Sequence, residues 1–338
     1  MTVPHIRTTV VGSYPVPEWL LAMPSQQALI DAMRVVFKIQ EQAGIDVVAD
    51  GELYRWDVNH PDTNGMIEYF IRPLDNIRTA ITRRDIEEFR RQEGMGFRAA
   101  PAGVVEGPLD EGTLMLVEDY RRARACAGKP MKFTLTGPHM LCKTLMDHHY
   151  KDRAELALAL GQVMARQVAD LDPEVIQIDE ANITGHPDEA EWAAAAINVV
   201  LDAATKAGEK GVHMCFGNYG GQSIQRGEWR RLIAYLNALH CDHVILEMAF
   251  RGYDELAYFR DDLDPRIGLG IGVVDIKVNT VETPDEIARR IEAAAHIVGA
   301  ERIKWVHPDC GFWMNKRSIA DRKIAALVQG RDLFLQAK

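Results

Sequence analysis

Two thiols, one imidazole and one carboxylate occur in three short stretches of this chain. VHMCFGN carries His213 and Cys215, VILEMAF carries Glu247, and WVHPDCGFW carries Cys310. Each candidate ligand stands where an apolar run gives way to polar, Gly-containing sequence. His213 and Cys215 are two residues apart, so on a strand both side chains leave the same face. Zinc accepts thiolate sulfur, imidazole nitrogen and carboxylate oxygen in four-coordinate geometry, and soft thiolates select it over Mg²⁺ or Ca²⁺. Together the four residues can satisfy one zinc ion. A thiolate-rich set with one weak, displaceable carboxylate suits a metal that takes up and activates a substrate thiol.

Such a constellation needs rigid elements that deliver separate stretches to one place. The chain alternates short β-branched runs with amphipathic segments rich in Ala, Leu, Glu and Arg. Eight runs read as strands: Thr8–Val11, Asp46–Ala49, Lys132–Leu135, Val175–Ile178, Val212–Cys215, His243–Leu246, Ile267–Ile271 and Ile303–Val306. Each reads as continuously apolar, as parallel strands buried on both faces are. Between them lie helical patterns such as ALIDAMRVVFKIQEQAG, DRAELALALGQVMARQVADL and ETPDEIARRIEAAAHIVGA. Thr283-Pro284-Asp285-Glu286 opens the last with an N-cap, a first-turn Pro and two acids. Eight strand–helix alternations predict an α/β fold, a single (β/α)8 TIM barrel, with a doubly wound sheet as the alternative. The second connection, from about Tyr54 to Thr113, exceeds one helix, so the β2–α2 region is expected to be elaborated, as a β-meander with a helix. With no repeat, linker or low-complexity tract, residues 1–338 read as one domain with an insertion at about 54–113.

On a barrel the strand ends share one mouth. Gly12-Ser13, Asp50-Gly51-Glu52, Thr136-Gly137-Pro138-His139, Asp179-Glu180, Asp275 and Lys277, and His307-Pro308-Asp309-Cys310 all fall at such ends, beside His213, Cys215 and Glu247. Buried charges are costly unless paired or bound, so these ends predict a polar, ligand-filled mouth. One at a time the signals are weak: strand-end acids cap helices, and Ser13 is an ordinary turn residue. A Cys in the polar turn HPDCG is the most specific of them.

Composition narrows the classes further. Hydrophobic residues make up 47% and charged residues 26%, values of a soluble globular chain, and the net charge of −10 argues against a nucleic-acid partner. No stretch approaches the roughly 20 apolar residues of a spanning helix, and no signal peptide is read, so no membrane partner is expected. Five cysteines without framework spacing fit a cytoplasmic location.

The motifs VGSYP, DGE…MIEYF, TLTGP, QIDE, HMCFGN, ILEMAFRG, GVVDIK and HPDCGF run along nearly the whole chain. Through them it resembles the cobalamin-independent methionine synthase family, specifically its catalytic barrel. The resemblance implies zinc as cofactor on His213, Cys215, Glu247 and Cys310, activating homocysteine or another small thiol for attack on a methyl group. It also implies that Ser13 contacts the substrate carboxylate, while Glu52 and Asp179 hold the ammonium group.

Departures from that pattern bear on the methyl donor. The folate-using members carry a second barrel, an aromatic ring after the GP of strand 3, and a His after D-I/V in strand 7 that donates a proton to folate. Here the corresponding stretches read GPHMLCKTL and GVVDIK, so Asp275 and Lys277 are the candidate catalytic residues. A lysine amine suits a charge partner better than a proton shuttle near neutrality. The expected activity is a zinc-dependent methyltransferase making methionine with a non-folate donor, methylcobalamin or a corrinoid methyl-donor protein. The alternative is an alkyltransferase acting on another thiol, of the epoxyalkane:coenzyme M transferase kind. A zinc-stabilised scaffold barrel is the reading from outside enzymes, but structural zinc sites are closed sites typical of small domains.

Overall fold

The computed structural model describes residues 5–55, 64–91, 98–218 and 222–337. In chain order its strands are β1 (Arg7–Thr8), β2 (Val48–Ala49), β3 (Ile77–Arg78), β4 (Gly103–Val105), β5 (Met131–Thr136), β6 (Leu145–Asp147), β7 (Val175–Asp179), β8 (Glu209–Met214), β9 (His243–Leu246), β10 (Gly268–Val274) and β11 (Ile303–Pro308). Eight of them pair in parallel in the order β1-β11-β10-β9-β8-β7-β5-β2. A parallel bridge from Thr9 to Val47 sets the end of β1 beside β2, which closes the sheet into the expected TIM barrel. The first two barrel strands are shorter than their apolar runs, because the ladder between them is that single bridge.

Helices cover the outer face and start and stop where their sequences dictate. Ser25 accepts from the Ala28 N–H to open Gln26–Ala43, and Gly44, at φ 91°, ends it in the left-handed conformation that glycine adopts without strain. Asp152 caps Arg153–Val168 through two backbone N–H groups, and Thr283 with Glu286 forms a full capping box at Pro284–Val298.

Inside the barrel the continuous apolar reading fails. Lys132, Thr134 and Thr136 alternate along β5, and Gln177 and Asp179 along β7, all buried. Glycines on neighbouring strands make room for large polar groups. A Cβ on Gly211 would lie 2.6 Å from His243 Nε2, and one on Gly270 3.0 Å from His307 Nε2. A Cβ on Gly272 would collide with the Asp309 carboxylate. Period-two alternation here therefore separates a helix-facing apolar side from a polar lumen rather than core from solvent.

A second sheet has the order β3-β4-β6. Strand β3 runs antiparallel to β4, with the Thr82-capped helix Arg83–Phe89 between them, but β6 follows β5 and pairs parallel to β4. The expected meander is thus replaced by a sheet whose third strand comes from beyond β5. Phe89, Val104 and Met146 form its own small buried cluster, which ties the segment after β2 to the segment after β5.

Candidate metal centre

His213 and Cys215 leave the end of β8 side by side, and Cys310 follows β11. Among the described residues their ligand atoms form the group that could hold a metal ion, all within 4.8 Å of one another. The two sulfurs lie 3.9 Å apart. Tetrahedral zinc with Zn–S bonds of about 2.3 Å would set two thiolates about 3.8 Å apart. The Cys310 thiol and the His213 ring hold Cys215 well below the usual thiol range, while the contact with Cys215 and then burial push Cys310 up.

The imidazole supplies the most telling detail. His213 Nδ1 lies 3.2 Å from the Ile245 carbonyl of the adjacent strand β9, and His213 Nε2 is buried without a partner. A backbone carbonyl on one ring nitrogen fixes the tautomer and leaves the other nitrogen's lone pair for a metal. An orphaned buried nitrogen beside two close thiols fits zinc by donor chemistry and by spacing.

Glu247, at the end of β9, stands next to this trio without joining it. Its Oε2 accepts from the Phe216 N–H at 2.6 Å, and its Oε1 is ion-paired with Lys277. Burial and the neighbouring Cys215 thiolate push Glu247 upward, with Lys277 opposing them. Asp309 organises the turn after Glu247 by accepting from the backbone N–H groups of Met248, Ala249 and Phe250 at 2.9, 2.8 and 2.7 Å. Asp275 accepts from the Lys277 N–H at 2.8 Å, so its carboxylate shapes the turn that carries Lys277 and is not gathered with the three metal-capable side chains.

The three expected substrate-binding residues line the neighbouring part of the mouth. Ser13 packs against the turn after Cys310: its carbonyl accepts from the Phe312 N–H at 2.8 Å, and a Cβ on Gly311 would strike its hydroxyl. Glu52, with a left-handed φ of 58°, accepts from Thr134 Oγ1 at 2.7 Å and pairs with Arg55 at 3.4 Å. Asp179 is pushed up to about 7 by burial, with the His213 ring opposing and the charge of Glu52 adding to the rise. A buried carboxylate with a second carboxylate beside it favours an incoming cation.

Three residues of this region escaped the sequence reading. Lys132, buried and pulled down to about 7, donates to the Val10 carbonyl at 2.8 Å and to Gln177 Oε1 at 2.6 Å. Gln177, its amide thereby oriented, donates to Val11 O at 2.8 Å and to Asp179 Oδ1 at 2.7 Å. Arg55 is buried under Tyr54, Tyr69 and Phe70 and holds Thr134. Polar residues two apart in KFTLT and VIQID were the available signal.

Comparison with known proteins agrees with this architecture. Residues 6–331 match the family model described as the cobalamin-independent synthase catalytic domain. A methionine synthase of Sulfurisphaera tokodaii is 28% identical over 97% of this chain and 92% of its own length. One of Thermococcus kodakarensis is 28% identical over 98% and 94%. Among solved structures, a B12-independent methionine synthase of Shewanella sp. W3-18-1, in complex with selenomethionine, superposes with a TM-score of 0.80 at 24% identity over 100% of this chain and 99% of that one. With the family model spanning nearly every element described, the chain belongs to the cobalamin-independent synthase catalytic-domain family.

Proposed function

We propose that this chain is a zinc-dependent S-methyltransferase that makes methionine from homocysteine. In this reading one barrel domain, residues 1–338 with the 54–113 segment elaborating it, carries the catalytic site. The observation that supports it most is the buried, unpartnered His213 Nε2 facing two thiols 3.9 Å apart. His213, Cys215 and Cys310 would hold zinc, with Glu247 available as a fourth, exchangeable ligand. When bound, zinc would lower the pKa of a substrate thiol so that the sulfur reacts as thiolate.

The rest is done by the chain's own groups. Glu52 and Asp179 receive the ammonium group, the Ser13 hydroxyl and backbone N–H receive the carboxylate, and the sulfur is left to project toward Cys310. The amide of Gln177 occupies Asp179 Oδ1, which leaves Oδ2 for the substrate. The thiolate then forms the S–CH₃ bond as the bond from methyl to its carrier breaks, the electron pair leaving with the carrier. Holding both reactants in line supplies most of what such a transfer needs from a protein.

The donor in this reading is methylcobalamin, free or on a corrinoid protein. Heterolysis of a cobalt–methyl bond leaves Co(I), which needs no proton, whereas departure of tetrahydrofolate needs N5 protonated. Lys277, where a proton donor would stand, is engaged with Glu247, Ser223 and the Phe250 ring. The alternative thiol, a sulfonate of the coenzyme M kind, would want free cations beside Ser13, yet Lys132 and Arg55 are tied up beneath the acids. All five cysteines are free thiols, which fits a cytoplasmic enzyme, and no helix of the described residues is long and apolar enough to cross a membrane. Anaerobic single-turnover assays decide between these readings. Methionine should form from homocysteine and methylcobalamin and not from methyltetrahydrofolate. Robust turnover with the folate alone would overturn the donor assignment, and tight coenzyme M binding without homocysteine binding would overturn the thiol.

A further inference from the structure

Glu247 has both oxygens engaged before any metal is considered. Oε2 accepts from the Phe216 N–H at 2.6 Å and Oε1 is paired with Lys277, whose side chain is 3% exposed against 1% for Glu247. The ammonium is itself fixed: Ser223 Oγ lies 2.9 Å from Nζ, the Phe250 ring centroid 4.2 Å from it, and the Lys277 backbone N–H is held by Asp275. The pair is therefore a buried contact next to three metal-capable side chains, a group that does not include the carboxylate.

A charge count shows what such a contact can do. Two thiolates and a divalent ion sum to zero, so a carboxylate in the fourth position makes the centre −1. An incoming thiolate in place of the carboxylate also makes it −1, whereas keeping both makes it −2. Displacement thus leaves the metal charge balance unchanged but frees a buried carboxylate, and an unpaired buried charge is strongly disfavoured. Lys277 is the cation in contact with that carboxylate.

We propose that Lys277 is a positioning residue that competes for Glu247, receiving the carboxylate when a substrate thiolate takes the fourth position. The proposal rests on the zinc and thiol reading above. It assigns the lysine in the turn after β10 a part in ligand exchange, not in proton transfer. Phe216 N–H serves as the pivot, keeping Oε2 in place while Oε1 turns between ammonium and metal.

The test measures zinc affinity by chelator competition and homocysteine affinity by calorimetry on zinc-loaded protein. Wild type, Lys277→Met, Lys277→Arg, Glu247→Gln and the Lys277→Met/Glu247→Gln double variant are compared. Loss of such a supporting partner changes metal-site affinities about 10-fold or more. Lys277→Met should bind zinc about tenfold more tightly and homocysteine about tenfold more weakly, while Lys277→Arg stays close to wild type. In the Glu247→Gln background both effects of removing Lys277 should shrink to about twofold, the plain Coulomb effect of a nearby charge. Equal effects with and without Glu247, or none in either, overturn the proposal. Lys277→Gln replaces Lys277→Met should the latter fail to fold. If Cys215→Ser retains zinc, or zinc-loaded wild type takes up no homocysteine, the functional reading itself fails, and this proposal with it.

Discussion

On the β2–β5–β7 side of the mouth, Glu52 and Asp179 are met by protein groups from below: Thr134, Arg55, Gln177 and, through Gln177, Lys132. On the β8–β11 side, His213 Nε2 has no hydrogen-bond partner and two thiols lie 3.9 Å apart. The first region is already hydrogen-bonded to the protein before a ligand arrives. The second is complete only when something electron-poor enters it. Under the proposed function the contrast teaches a division of labour: the acids would recognise the substrate, and the thiols and imidazole would take part in the chemistry.

The two regions should therefore break differently. Replacing Cys215 or Cys310 with Ser should abolish zinc binding and lower methyl transfer by about 10³-fold or more, with the far-ultraviolet circular dichroism unchanged. Full zinc retention by either variant, measured on purified protein, would remove the ligand assignment. Asp179→Asn should leave zinc content intact and weaken homocysteine by about 10- to 100-fold, the loss of a charge-assisted contact. Binding of 4-mercaptobutyrate, which keeps the thiol and carboxylate but lacks the amino group, should change little. Equal weakening of both thiols would mean that Asp179 supports the site's shape rather than the ammonium.

A smaller effect sharpens the picture beneath the acids. Burial pulls Lys132 from an ordinary value of 10.5 down to about 7 in the folded chain. The unfolded chain therefore binds more protons between those two values, and wild type gains stability from this residue as pH rises from 7 toward 10.5. Measured by urea unfolding against Lys132→Met, the wild type should improve by on the order of a few kcal/mol across that range. A stability difference independent of pH would show that Lys132 is not carrying a suppressed charge.

How much of this was legible depends on what kind of pattern a residue obeys. The barrel could be read because its strands are dense in Val, Ile and Leu and its helices carry local signals, such as Thr283 with Glu286 and Gly44, that need no tertiary knowledge. The His213–Cys215 pair could be read because two-residue spacing on a strand fixes a common face. Lys132 and Gln177 could not, because a polar residue inside an apolar run looks the same whether it faces helix or lumen. Closure of the barrel decides that, and closure rests on the single bridge from Thr9 to Val47. The ion pair of Glu247 with Lys277 was equally hidden, since it joins turns after two different strands. The third strand of the small sheet lies beyond β5, outside the 54–113 segment expected to form the elaboration, and nothing local in its sequence ties it to β4.

The central claim is that an open, thiolate-rich metal site faces an amino-acid-binding site. Cobalt(II) in place of zinc makes it directly visible, since thiolate ligation gives intense charge-transfer absorption and tetrahedral geometry gives strong d–d bands. The cobalt-loaded protein should show both, and homocysteine should raise the charge-transfer intensity by about half as the thiolates increase from two to three. Saturable homocysteine binding with no change in that spectrum, or a cobalt spectrum without thiolate bands, would contradict the account.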